Sequence, residues 1–210
     1  MRSSVFIDEI YFQHLGPSPL ILDCGANIGL SVIYLKKLFP EARIVAFEPD
    51  EQNFGLLEKN VASFGFSKVE LRQEAVWTEN TNITFSASGT LGSKIESGVN
   101  KYTTTVKATR LKDFLQDPVD FLKLDIEGAE YTVLKDAAEK IRAAKNIFIE
   151  YHGNFEQNEE LTEIFELLIQ NGFHYYIKEA APVYRTPFSR NNPTTFDLQL
   201  NIFCFQAINR

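Results

Sequence analysis

The chain has 210 residues, of which 44% are hydrophobic and 23% charged, with a formal net charge of −7 and a pI near 5.1. That length suits one α/β unit with a full core, and the composition excludes a disordered chain or a fibre. The acidic balance has no dense Lys/Arg stripe, which argues against a nucleic-acid partner. No apolar run is long enough to cross a membrane. Acids interrupt the N-terminal MRSSVFIDEIYF where a secretory leader would be apolar, and Cys24 and Cys204 lie in strand-like runs as buried free thiols, so a cytoplasmic location is expected.

Residues 1–19 read as a lead-in to a single unit spanning 1–210. The run LILDCGANIG, Leu20 to Gly29, is the first strong signal. Successive apolar residues at Ile21 and Leu22 predict a strand covered on both faces, as in a parallel sheet. Gly25 and Gly29 allow a sharp turn and close approach of a ligand to the backbone. Asn27 between them tolerates a left-handed conformation. Apolar spacing then predicts a helix over 30–39, stopped by Pro40. Strand, glycine turn and helix start together form a site for a nucleotide-like cofactor. Asp23, at the strand end, is placed to accept hydrogen bonds from a polar or cationic ligand group. A dinucleotide fingerprint would require glycine at positions 27 and 30, where Asn27 and Leu30 stand, which disfavours an NAD enzyme.

RIVAF, Arg43 to Phe47, predicts a second buried strand, and Glu48 at its end is placed to hold the two hydroxyls of a ribose. Asp50 caps a predicted helix over 51–64. VELRQEAV, 69–76, reads as a third strand. From Asn80 to Ala108 the helical signal gives way to β-branched, alternating runs at Asn82–Ala87 and Tyr102–Ala108, joined through a loop at 88–93. This is a β-hairpin (80–108) inserted where a plain Rossmann fold has a helix. Such an insert covers the site or forms a subunit contact, the second giving a homodimer.

FLKLDI, Phe121 to Ile126, reads as a buried strand with Asp125 and Glu127 at its carboxyl end, two apart and so on one face. Glu130 starts the next helix, where its charge suits the helix dipole. The following strand, 146–151, ends in Glu150, Tyr151 and His152, with Glu150 and His152 again on one face. Neighbouring strands should bring these four side chains together above the sheet, where open α/β sheets bind ligands. Carboxylates favour the charged imidazole, which makes His152 the expected general base. Asp125, Glu127 and Glu150 are also hard oxygen ligands suited to Mg²⁺, and no Cys/His cluster suits zinc. A divalent metal is thus compatible with the site but not required by it. A helix over 159–171, a strand over 173–178, a loop over 179–195 and a strand over 198–205 complete the chain. Tyr184, Arg185, Phe188 and Arg190 on that loop are of the kind that recognises a sugar or an anion.

In this order DCGANIG, FEPD, FLKLDIEGAE and IFIEYHG resemble the FkbM-type methyltransferases, class I enzymes dependent on S-adenosylmethionine (SAM). The resemblance runs from about Phe6 to about Phe205. It implies an α/β, three-layer Rossmann-like class I methyltransferase sheet, mostly parallel, with an antiparallel C-terminal strand and the inserted β-hairpin. It implies SAM as cofactor, S-adenosylhomocysteine (SAH) as product, and O-methylation of a hydroxyl on a sugar, glycan or other small-molecule acceptor. On that resemblance the cofactor residues are Asp23, Gly25, Asn27, Gly29, Glu48, Glu74 and Ala75, with Glu74 on the adenine amino group. The catalytic residues are His152, Asp125, Glu127 and Glu150. A SAM-binding protein without catalysis, and an NAD-linked oxidoreductase on the same fold, are the alternatives.

Overall fold

The computed structural model describes residues 5–86, 103–189 and 194–206. The first half alternates strand and helix: β1 (Leu20–Cys24), α1 (Leu30–Leu38), β2 (Arg43–Phe47), α2 (Glu51–Ser63) and β3 (Val69–Arg72). Three strands then follow among the described residues: β4 (Ala75–Trp77), β5 (Thr81–Ser86) and β6 (Thr103–Arg110). The chain continues through a 3₁₀ turn at Leu111–Phe114 to β7 (Val119–Leu124), α3 (Glu130–Ala137), β8 (Ala144–Gly153), α4 (Asn158–Gln170), β9 (Phe173–Glu179) and β10 (Leu198–Gln206).

Seven strands form the main sheet in the order β3-β2-β1-β7-β8-β10-β9. β1 pairs in parallel with β2 and β7, and β7 with β8, while β10 runs antiparallel to both β8 and β9. Strand order reverses between β1 and β7, so the crevice for a ligand opens there. The all-apolar character of Ile21 and Leu22 reflects this central place, because both faces of β1 are covered. Leu22, Leu124, Ile147 and Ile149 pack beneath Val133 and Leu134 of α3 and Ile164 and Leu168 of α4. Ile21, Phe121 and Phe148 face Val32 and Leu35 of α1 and, from the lead-in, Val5 and Tyr11. Each such side chain contributes roughly 1.5–3 kcal/mol through burial. Both cysteines are buried and free, as expected. Among the described residues no helix is long and apolar enough to cross a membrane.

Two expectations change here. The run VELRQEAV is not one strand. β3 ends at Arg72, and β4 starts at Ala75 in a separate three-stranded sheet of order β4-β6-β5. Polar Gln73 and Glu74 interrupt the pairing, so the chain leaves the main sheet at that point. The paired strands of the expected hairpin are present, with Ile83 opposite Val106; its loop lies outside the described residues.

The parity that places Ile21, Phe121 and Phe148 in the core continues along the same face to Asp23, Lys123 and Glu150. The floor of the sheet therefore turns from apolar to ionic towards the strand carboxyl ends. Lys123 is 2% exposed. Its ammonium donates to the Gly25 carbonyl at 2.8 Å and lies 3.2 Å from Asp23 Oδ1 and 3.3 Å from Asp125 Oδ2. Burial alone would lower its pKa, but Asp23 and Asp125 outweigh that and hold it well above the ordinary lysine value. Replacing Lys123 by Met is predicted to cost about 3–5 kcal/mol, because two buried carboxylates lose their counter-charge. Urea denaturation checks this, and a loss within about 0.5 kcal/mol of zero, the range of a neutral surface change, would contradict the bridging role.

Candidate active site

The turn after β1 is held by backbone geometry. Gly25 has φ +83° and Gly29 φ +88°, and Asn27 has φ +50° as its residue type allows. A Cβ at Gly25 would stand 1.7 Å from the Asp125 carbonyl oxygen, so only glycine lets β1 and β7 approach this closely. The N–H groups of Gly25 and Ala26 both donate to the Phe47 carbonyl, at 3.0 and 2.8 Å, and bind the turn to the end of β2.

Glu48 stands at that end, nearly buried. Its Oε2 accepts the Asn27 N–H at 2.8 Å and its Oε1 the Asp50 N–H at 2.9 Å. Burial raises its pKa and these two donors offset part of the rise. Each oxygen keeps a lone pair for a further donor, as ribose recognition needs. α1 starts from Gly29 without a side-chain cap, leaving first-turn N–H groups for a ligand carboxylate. Below the turn, Tyr11, Gly25, Asn27, Lys123 and Asp125 line a small cavity, so the lead-in segment borders the site.

Asp23, expected to accept hydrogen bonds from a ligand, is turned towards protein partners. It is fully buried, with Oδ2 accepting the Ser31 hydroxyl at 2.5 Å and Oδ1 against Lys123. It supports the turn from beneath. Glu74 lies at the break between the two sheets, 2.6 Å from Lys107 and 3.2 Å from Arg72. Burial raises its pKa, but the two cations outweigh that and hold it low. Ala75 beside it is buried at the start of β4.

The four expected catalytic side chains converge, though not by strand parity alone. β7 stops at Leu124, so Asp125 and Glu127 belong to the turn that follows, where Glu127 has φ +55° and Gly128 φ +97°. Alternation along a strand cannot put these two on one face. The turn does so instead, and Glu127 Oε2 lies 3.7 Å from His152 Nε2. Glu150 and His152 are both within β8, share a face as expected, and have Oε1 and Nε2 3.8 Å apart.

Two functional residues were missed by sequence reasoning. Glu130, fully buried, accepts the N–H groups of Ile126 and Gly128, each at 3.0 Å, and the His152 Nδ1–H at 3.2 Å. The signal was an acid two positions after Gly128, able to reach back over the turn. Lys123 is the other, and its signal was a single cation in an apolar strand. The acceptor-only Glu130 carboxylate fixes Nδ1 as a donor. Burial alone would lower the His152 pKa, but Glu130, Glu127 and Asp125 raise it to about 9. These neighbours thus favour the protonated imidazole over the neutral one.

The strand order and the antiparallel strands at the C-terminal end define a class I SAM-dependent methyltransferase fold. A Streptococcus mutans protein, SMU.1697c, solved in complex with SAH, shares it at a TM-score of 0.58 and 12% identity, over 98% of each chain. Methyltransferase FkbM from Methylobacillus flagellatus KT shares it at a TM-score of 0.65 and 16% identity, over 97% of this chain and 47% of that one. The Methyltransferase FkbM domain matches residues 23–175, and the chain belongs to that family. Methyltransferase 1 of Beauveria bassiana is 27% identical over 164 residues, 64% of this chain and 65% of its own length. Methyltransferase sdnD of Sordaria araneosa is 28% identical over 208 residues, 80% of this chain and 79% of its own length.

Gly25→Ala is predicted to lose about 1–2 kcal/mol from left-handed backbone alone, with the clash against Asp125 added. Thermal denaturation should show the loss, and a stability equal to the parent chain would contradict the close approach of β1 and β7.

Proposed function

We propose that this chain transfers a methyl group from SAM to a hydroxyl of a sugar, glycan or other small metabolite. The observation that carries the reading is the meeting of Asp125, Glu127, Glu150 and His152 beside the glycine turn and Glu48, at the carboxyl ends of adjacent parallel strands. The 2-O-methyltransferase NoeI of Sinorhizobium fredii, 26% identical over 176 residues and 72% of each chain, supports oxygen as the atom methylated. The net charge of −7 supports a small acceptor over a nucleic acid.

In this reading the backbone of Gly25, Asn27 and Gly29 lies against the cofactor. The open first turn of α1 meets its carboxylate, and Glu48 meets its ribose. Glu74 and Ala75 border the adenine, while Asp23 acts indirectly through Ser31 and Lys123. When bound, SAM supplies an electrophilic methyl group, which leaves sulfur for the acceptor oxygen and leaves SAH as the thioether. The chain's own task is to orient the hydroxyl and take up its proton. Position favours Glu127 for that proton. Its side chain is half-exposed and touches His152 Nε2, so it can reach both an acceptor and solvent. His152, held by Glu130, orients the hydroxyl. Holding the two reactants in line supplies much of the remaining rate enhancement.

Thermal unfolding with SAM, SAH and NAD tests the cofactor. SAM at one hundred times its dissociation constant should add about 2.7 kcal/mol of stability, with no effect of NAD. Stabilisation by NAD alone would favour the oxidoreductase reading. Against a panel of sugar and polyketide alcohols, Glu127→Gln should lower kcat by about 10²-fold or more with SAM affinity unchanged. Glu48→Ala should instead weaken SAM binding. Full turnover in Glu127→Gln would remove it from the proton-transfer role.

A further inference from the structure

We propose that Asp125, Glu150 and His152, with Asn201 beside them, bind a divalent cation of the Mn²⁺ type. One donor atom from each of the first three lies within 4.8 Å of the others. Ligand atoms around an octahedral ion at ~2.1 Å stand ~3–4 Å apart, so small side-chain rotations suffice to close the site.

Asn201 supplies the independent observation. It lies on β10 directly opposite Glu150 in the antiparallel ladder, and cross-strand partners share a face. The residue is 7% exposed, and its Oδ1 has no hydrogen-bond partner among the described residues. A buried amide oxygen without a donor is destabilising, and a cation would satisfy it. Its placement next to Glu150 makes it a neutral, hard ligand for the same ion.

The imidazole is arranged to match. Its Nδ1–H is committed to Glu130 at 3.2 Å, which leaves Nε2 towards Glu150 and Glu127. A carboxylate behind a histidine fixes the ring in this way at metal sites. Lys123 lies 3.3 Å from Asp125 Oδ2, so Asp125 stands between the ammonium and the cation site. Two carboxylates, an amide oxygen and one imidazole suit Mn²⁺ or a similar ion better than zinc, which favours a closed tetrahedral set of nitrogen and sulfur.

Cation binding stands independently of the methyl-transfer reading, and only its role rests on that reading. A bound ion would ease loss of the acceptor hydroxyl's proton, and Glu127, outside the donor set, would receive it.

The test is Mn²⁺ alone, titrated into the purified chain and followed by the electron paramagnetic resonance of free Mn²⁺. One equivalent should bind. Binding should weaken by at least about tenfold in Asn201→Ala and in Glu130→Gln, and Asn201→Asp should restore or tighten it. Free Mn²⁺ rising as it does in buffer would overturn the proposal. So would parental affinity in both Asn201→Ala and His152→Ala, which would put the ion elsewhere on the acidic surface. Thermal stabilisation by SAM, measured on the same samples, confirms folding and separates the two readings. Stabilisation by SAM without Mn²⁺ binding removes the cation site and leaves methyl transfer standing. Mn²⁺ binding with no response to SAM does the reverse.

Discussion

A buried ammonium group holds the centre of this molecule together. Lys123 projects from β7 between Asp23 of β1 and Asp125 past the end of β7, and donates to the carbonyl of Gly25. A lysine with almost no exposed surface is tolerable only with counter-charges and acceptors around it, and here three groups supply them. The glycine turn, the carboxyl end of β1 and Asp125, the first acid of the candidate cluster, are all fastened to one nitrogen. Ser31 on α1 joins through Asp23, so the first turn of that helix is fixed as well.

A second ionic arrangement stands beside the first and has the opposite composition. Around His152 stand three acids, Glu127, Glu130 and Glu150. Burial and the charge of Asp125 push the Glu150 pKa up to about 7, with His152 opposing the rise. Lys123 thus sits in a closed, compensated network, whereas the neighbouring cluster carries an excess of oxygen donors. That contrast separates the part of the ionic floor that holds the fold from the part available to a substrate or an ion.

Much of this was legible in the sequence, for identifiable reasons. The glycine turn could be read because backbone constraints confine φ > 0 largely to glycine and asparagine, and Gly25, Asn27 and Gly29 are of those types. The placement of Glu48, Glu150 and His152 followed from strand ends and period-two alternation. Alternation misled at Asp125 and Glu127 because the strand stops at Leu124, and a strand end is set by hydrogen-bond pairing with neighbours rather than by composition. VELRQEAV was read as one strand because the switch to a different sheet depends on the distant partner strand β6, where Ala75 pairs with Ala108. The place of Lys123 and the contact of Glu130 with His152 were unread because they come from groups that meet only after folding, across 98 residues for Lys123 and Gly25 and 22 for Glu130 and His152.

The departure of the chain from the main sheet after Arg72 bears on how such a protein can diversify. β5 pairs with β6, and β6 with β4, and none of these three strands joins the ladders that carry Gly25, Lys123 or His152. Lengthening or recomposing the β5–β6 connection therefore leaves the register of the central strands unchanged. Change on that peripheral sheet can accumulate while the pairing around the ionic centre stays constant.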